Sequence, residues 1–135
     1  MLSKKTRYAI VSLINLSKKY DKGQVQISDI AKEEKIPQRF LESILLELKK
    51  MGILGSKLGK MGGYFLLKPP AEINLLEIIN HFEGSVAMLY CVSDKMYQPC
   101  EFCKNENNCY LKNVFREIYL YNSKKLKETT FDKLI

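Results

Sequence analysis

The stretch PQRFLESILLELKKMG, residues 37–52, restricts the possible folds of this chain more than any other. Phe40, Leu41, Ile44, Leu45 and Leu48 recur at helical spacing and predict one continuous apolar stripe. Pro37 suits the first helical position, Lys49 and Lys50 suit the negative end of the helix dipole, and Gly52 can supply a left-handed cap. Ile36 is disfavoured in the α region because proline follows it, so a tight break precedes this helix. Before the break the pattern predicts a shorter helix over 29–35, with Ser28 as N-cap, Asp29 in the first turn, and Ile30 and Ala31 facing inward. Two short helices across a tight turn, the second with a polar N-terminal face of Gln38, Arg39, Glu42 and Ser43, meet the requirements of a helix-turn-helix. A plain helical hairpin fits the same pattern, so the flanking sequence has to separate the two.

Upstream, Ser3 can cap a helix with Ala9, Leu13, Leu16 and Tyr20 on one stripe, ending near residues 21–23. Downstream, ILGSKLGKMGGYFLL reads as a strand, a glycine-rich turn and a second strand, with Tyr64 and Leu66 on one face and Phe65 and Leu67 on the other. A hairpin directly after a recognition helix is a wing. Lys57 and Lys60 mark its tip, and Gly62 and Gly63 allow the backbone to approach a groove or phosphates closely. Neither GxGxxG nor GxxxxGK(S/T) occurs, which excludes a nucleotide-binding phosphate loop. Asn74 caps a helix from Leu75 to about Glu83, closed by Gly84. From Leu111 a last helix carries Val114, Phe115, Ile118 and Tyr121 on one side. Its stripe is too apolar to stay bare, and a second subunit is its natural partner, with Val114, Phe115 and Ile118 central.

The expected fold is therefore mainly α: a winged helix-turn-helix with a small β-hairpin wing and a long C-terminal dimerisation helix. It divides into a DNA-binding domain over 1–84, a cysteine-rich sensor loop over 85–110, and a dimerisation helix and tail over 111–135. At 135 residues the chain supports one core and an appendage. The excess of 22 basic over 15 acidic residues points to a polyanionic partner, and with this architecture to double-stranded DNA. A single histidine and no recognisable Ser/His/Asp arrangement speak against hydrolytic or acid–base catalysis. No segment is apolar enough to span a membrane, so the sequence reads as cytoplasmic.

All four cysteines, Cys91, Cys100, Cys103 and Cys109, fall in one polar stretch. In a reducing compartment such a cluster favours a metal or redox role over a static disulfide frame. Cys100-x2-Cys103 is able to place two thiolates on one metal or cluster. Three readings stay open: an iron-sulfur cluster, a structural zinc site with four thiolates, and a thiol–disulfide switch without metal. His81, the only histidine, reads as a surface or core residue rather than a ligand.

The order KKTRYAI, ISDIAKEEKIPQRFLESILLELKKMGIL, a wing ending GGYFL, a cysteine loop and a final CYLKNVFREI helix resembles the IscR and NsrR family of winged-helix transcription regulators. The likeness covers nearly the whole chain. It implies a homodimer on DNA and an iron-sulfur cluster, 2Fe-2S or 4Fe-4S, in the cysteine loop. The family's cluster-binding members usually show three cysteines with five residues between neighbours. Cys103 and Cys109 match the last interval, Cys91 matches the first position through a longer loop, and Cys100 is an addition. The histidine ligand of the IscR branch falls on Lys112, and the acidic ligand of the NsrR branch falls among Arg7, Tyr8 and Ala9. Cys100 is thus the candidate fourth ligand. The family's wing arginine is Leu58 here. An RNA-binding or partner-docking winged helix without a cluster is the alternative for the whole chain.

Overall fold

Ser3 starts the first helix, α1 (Lys4–Lys18), its Oγ accepting from the Thr6 amide at 3.2 Å. The computed structural model describes residues 1–103 and 105–135. After α1 come α2 (Ile27–Glu34), α3 (Gln38–Lys50), strands β1 (Leu54–Lys57) and β2 (Gly63–Leu66), α4 (Leu75–Glu83) and α5 (Tyr110–Glu128). The winged helix-turn-helix expected from the sequence is the observed fold, mainly helical with one two-stranded antiparallel sheet.

One core gathers the apolar stripes of the first three helices. Ala9, Leu13 and Leu16 of α1 meet Ile30 of α2 and Leu41, Ile44, Leu45 and Leu48 of α3, all buried. Ile36, in the turn between α2 and α3, closes this group from the side. Burying aliphatic side chains of this size stabilises the fold by roughly 1.5–3 kcal/mol each. Lys35 takes a left-handed conformation at the end of α2 (φ 55°), and this single residue reverses the chain into α3.

Several local expectations need correction. Ser28 lies inside α2; Gln26 holds the N-cap position and makes no side-chain capping bond. Pro37 is the N-cap of α3 rather than its first helical residue, because its extended backbone sets the turn. Phe40 leaves the predicted stripe and is 58% exposed, since the core side of α3 is already filled by residues 41, 44, 45 and 48. Tyr20 falls beyond α1 and is exposed. The last helix starts at Tyr110, one residue earlier than predicted, with Cys109 as its N-cap.

The hairpin pairs Leu54 with Leu66, Gly55 with Phe65, Ser56 with Tyr64 and Lys57 with Gly63. Val25 adds a third edge: its N–H donates to the Tyr64 carbonyl and its carbonyl accepts from the Tyr64 N–H, both at 2.8 Å. Asn74 and Glu77 form a reciprocal capping box at the start of α4. Past α5 the chain returns to the core. Phe131 is fully buried, its amide donates to the Ile73 carbonyl at 2.9 Å, and Leu75 N–H donates to the Thr129 carbonyl at 3.0 Å. Both ends of α5 are therefore held, one by this tail and the other by the cysteine loop. No helix among the described residues is long and apolar enough to cross a membrane.

Candidate nucleic-acid interface and cysteine loop

Gln38, Arg39, Glu42 and Ser43 are all exposed on the first turns of α3, on the side away from the buried stripe. Ser43 Oγ donates to the Phe40 carbonyl at 3.2 Å, which leaves its lone pairs facing out. Arg39 and Glu42 form no salt bridge among the described residues, so both remain open to a partner. The back of the helix is fixed to its neighbours. Glu47 accepts from Lys5 of α1 at 2.5 Å and lies 3.2 Å from His81 Nε2 of α4. The Lys5 hydrogen bond is the largest cause holding the Glu47 carboxyl below its usual range, and His81 acts in the same direction. His81 is exposed and stands beside Glu47 of α3.

Lys57 and Lys60 are exposed on the wing. The glycines beside them serve the hairpin itself. A Cβ on Gly62 would lie 2.2 Å from the Lys57 carbonyl oxygen, and one on Gly63, at φ 145°, would lie 2.4 Å from the Val25 carbonyl oxygen. The close approach that these residues allow is therefore to the chain's own backbone. Gln26 Nε2 donates to the Lys60 carbonyl at 2.7 Å and ties the wing tip to the start of α2. That tie was not legible in the sequence, because Gln26 belongs to no motif and its partner is a backbone atom.

The cysteine loop bridges α4 and α5. Cys91 sits in a short 3-10 turn and is buried with Val92 against Tyr119 of α5. Cys100 and Phe115 pack around this group. The Tyr119 hydroxyl accepts from the Asp94 amide at 3.3 Å, so α5 grips the loop through both the ring and the oxygen. Cys103 and Cys109 form a second neighbourhood, their thiols near enough for Cys109 to oppose ionisation of Cys103. Burial pushes the Cys103 thiol up, the Cys109 and Cys100 thiols beside it push the same way, and a backbone hydrogen bond from Asn105 opposes them. Cys109 Sγ caps α5, accepting from the Lys112 amide at 3.4 Å.

Glu106 organises this loop, a role no spacing rule pointed to. Its carboxylate accepts from the Tyr97 hydroxyl at 2.7 Å, from Lys112 Nζ at 3.1 Å and from the Cys100 amide at 3.4 Å. These contacts, the Tyr97 bond first, hold its carboxyl below the usual range. The same bonds raise the Tyr97 phenol and the Lys112 ammonium above theirs. Among the described residues no three Cys, His, Asp or Glu side chains are arranged to hold a single metal ion. The four thiols instead occupy two adjoining neighbourhoods, Cys91 with Cys100 and Cys103 with Cys109.

On α5, Val114 is 53% and Ile118 39% exposed, and Leu111 and Tyr121 are exposed beside them. Phe115, expected at the centre of the same stripe, instead turns inward against the Cys91 group. The three residues were grouped by helical spacing, but the buried Cys91–Val92 turn claims one side of the stripe and leaves the other bare.

Comparison with known proteins places this arrangement. A family model described as "Rrf2: Iron-dependent Transcriptional regulator" matches residues 2–135. An rrf2-like HTH-type transcriptional regulator of Rhodobacter capsulatus is 38% identical over 122 residues, which is 88% of this chain and 81% of the relative. The HTH-type transcriptional regulator NsrR of Oceanobacillus iheyensis is 32% identical, covering 99% of this chain and 88% of its own. Among solved structures, CymR, the global cysteine regulator of B. subtilis, superposes with a TM-score of 0.83 at 26% identity, over 99% of this chain and 95% of its own.

Proposed function

Because the chain belongs to the Rrf2 family and is a transcriptional regulator rather than an enzyme, we propose that it binds double-stranded DNA as a homodimer and senses redox, nitric oxide or iron-sulfur status through an iron-sulfur cluster on Cys91, Cys100, Cys103 and Cys109. The working parts are the reading domain over 1–84, the sensor loop over 85–110, and the helix and tail over 111–135. Gln38, Arg39, Glu42 and Ser43 enter the major groove, where side chains distinguish base edges. Lys57 and Lys60 hold phosphates beside the wing, a contact that positions the protein without reading sequence. The bare stripe of Leu111, Val114, Ile118 and Tyr121 packs on its counterpart in a second copy.

The observation that carries the sensor reading is the position of the cysteines between two anchored elements. On one side, α4 ends at Glu83, which accepts from the Ser3 amide and the Thr6 hydroxyl at the start of α1. On the other, α5 begins at Cys109 itself. A change in the loop is therefore felt both by the reading domain and by the helix that sets the distance between two half-sites. The donor set fits the group: four soft thiols in two adjoining pairs match the four-cysteine ligation of an iron-sulfur cluster. The Cys109 and Cys100 thiols beside Cys103 oppose its ionisation, so a cation is needed to hold them all deprotonated. When bound, the cluster supplies a group that oxidants or nitric oxide degrade.

A second reading rests on one contact. The Cys103 and Cys109 thiols are neighbours, so a disulfide between them would serve as a metal-free switch. Anaerobic purification followed by iron, sulfide and zinc analysis, with a visible spectrum and duplex binding on the same sample, decides among these. Iron and sulfide in equal amounts with charge-transfer absorption support the cluster. Zinc without sulfide, or no metal with affinity that changes under oxidant, overturns it in favour of a structural site or a thiol switch.

A further inference from the structure

The wing tip carries the feature that the reading above does not use. Leu58 is 99% exposed and Met61 89%, and they alternate with the exposed Lys57 and Lys60. Neither apolar side chain contributes to the core, and two large ones at a protruding tip are a liability unless something covers them. The turn that presents them is fixed. The Gly62 amide donates to the Gly59 carbonyl at 3.1 Å, Gly62 itself is packed against the Lys57 carbonyl, and Gln26 holds the Lys60 carbonyl at 2.7 Å. A tip already ordered loses little freedom when it inserts into a partner. The alternating lysines choose a polyanion as that partner, and the adjacent exposed face of α3 makes it a duplex.

Resting on the DNA-binding reading, we propose that Leu58 and Met61 are apolar wedges that enter the minor groove beside the α3 half-site and part a base step, while Lys57 and Lys60 clamp the flanking phosphates. Leu and Met are side-chain types that open base steps in this way, bending the duplex toward its major groove. A wedge makes no hydrogen bond to a base, so it selects by deformability. Pyrimidine–purine steps unstack most easily, and the wing would favour TA or CA/TG at its contact position. This gives the wing a specificity of its own, exercised at bases that α3 does not touch.

The test uses the full chain. A duplex selected by the wild type from a random pool is labelled at its ends for energy transfer and carries 2-aminopurine at the candidate steps. Wild-type binding is expected to brighten 2-aminopurine and bend the duplex by tens of degrees, within the roughly 20–90° range of such wedges. The double variant Leu58→Ser, Met61→Ser changes only exposed side chains; it should still bind through α3 but leave the duplex straighter and the 2-aminopurine dark. A mismatch at the step should tighten wild-type binding severalfold and leave the double variant unchanged. A straight, fully stacked duplex under the wild type, or equal signals from wild type and variant, overturns the proposal while leaving DNA binding intact. Failure to select any duplex would instead remove the regulator reading, and this inference with it. Capture of anionic vesicles that the serine variant abolishes, with no bend in any duplex, would assign the tip to a lipid surface and likewise overturn it.

Discussion

Glu83, at the C-terminal end of α4, accepts hydrogen bonds from the Thr6 hydroxyl at 2.5 Å and the Ser3 amide at 2.7 Å, at the far end of the winged helix-turn-helix sequence. It is the last residue of α4, so the cysteine-bearing segment over 85–110 departs from a point tied to the first turn of α1.

Removing the carboxylate should loosen this tie. Glu83→Ala is expected to cost about 1.5–3 kcal/mol, the range for hydrogen bonds to a charged group, measured by urea unfolding. The Thr6 bond, then the Ser3 amide, hold the folded carboxyl below its ordinary value. Such a contact contributes stability above the unfolded value, near ~4.3, and loses it as pH falls through the lower folded value. Wild type and Glu83→Ala should therefore differ most at neutral pH and converge in acid. A gap that stays constant into strong acid would contradict the assignment.

Glu42 faces solvent without a salt bridge, next to where phosphates would lie. A carboxylate there is unfavourable unless it accepts from a cytosine amino group. Glu42→Ala should relax or change the choice of sequence, with discrimination at one base pair falling by roughly 1–3 kcal/mol, while affinity for random duplex stays or rises. Competition binding with specific and random duplexes reads this directly, and equal losses on both would count against it.

The division of the α5 stripe makes two different predictions for neighbours one residue apart. Val114→Glu with Ile118→Glu places charge on the bare side and should leave folded monomers by sedimentation velocity. Phe115→Ala should leave assembly intact but destabilise the loop it covers, by about 1–3 kcal/mol for partial loss of a buried side chain. A wild type that is monomeric at micromolar concentration ends the dimer proposal.

The winged helix-turn-helix was legible because its signals are periodic and local. Leu41, Ile44, Leu45 and Leu48 fill one side of a helix, Asn74 caps another, and glycines mark the hairpin. The misplacements share a cause: Phe40 and Phe115 satisfy helical spacing, but spacing names a face and not what covers it. In α3 the core was filled without Phe40, and in α5 the loop reached Phe115 first. The loop's own order depends on Glu106, whose partners Tyr97, Cys100 and Lys112 are spread on both sides of it with no repeating pattern. The buried return of Phe131 to Ile73 was equally silent, since a contact across that sequence separation leaves no local trace.

Cys100 separates the candidate ligand sets. It packs against the Cys91 group, its amide is held by Glu106, and its thiol lies close enough to Cys103 to raise that group. Lys112, which stands where the IscR branch has a histidine, is engaged with Glu106 and as an ammonium has no lone pair to offer. If Cys100 completes a four-thiolate set, Cys100→Ser replaces a soft donor with a hard one. Its visible absorption should shift and its cluster should decay faster in air than the wild type, while Cys91→Ser, Cys103→Ser and Cys109→Ser lose the cluster on purification. Glu106→Gln should bring intermediate lability, because it frees the Cys100 amide and Lys112 without removing a thiol. An unchanged spectrum and lifetime in Cys100→Ser would move the fourth position elsewhere. If all four serine variants bind duplex as the wild type does, with and without iron, the cysteines serve the loop's structure alone and the sensor reading fails.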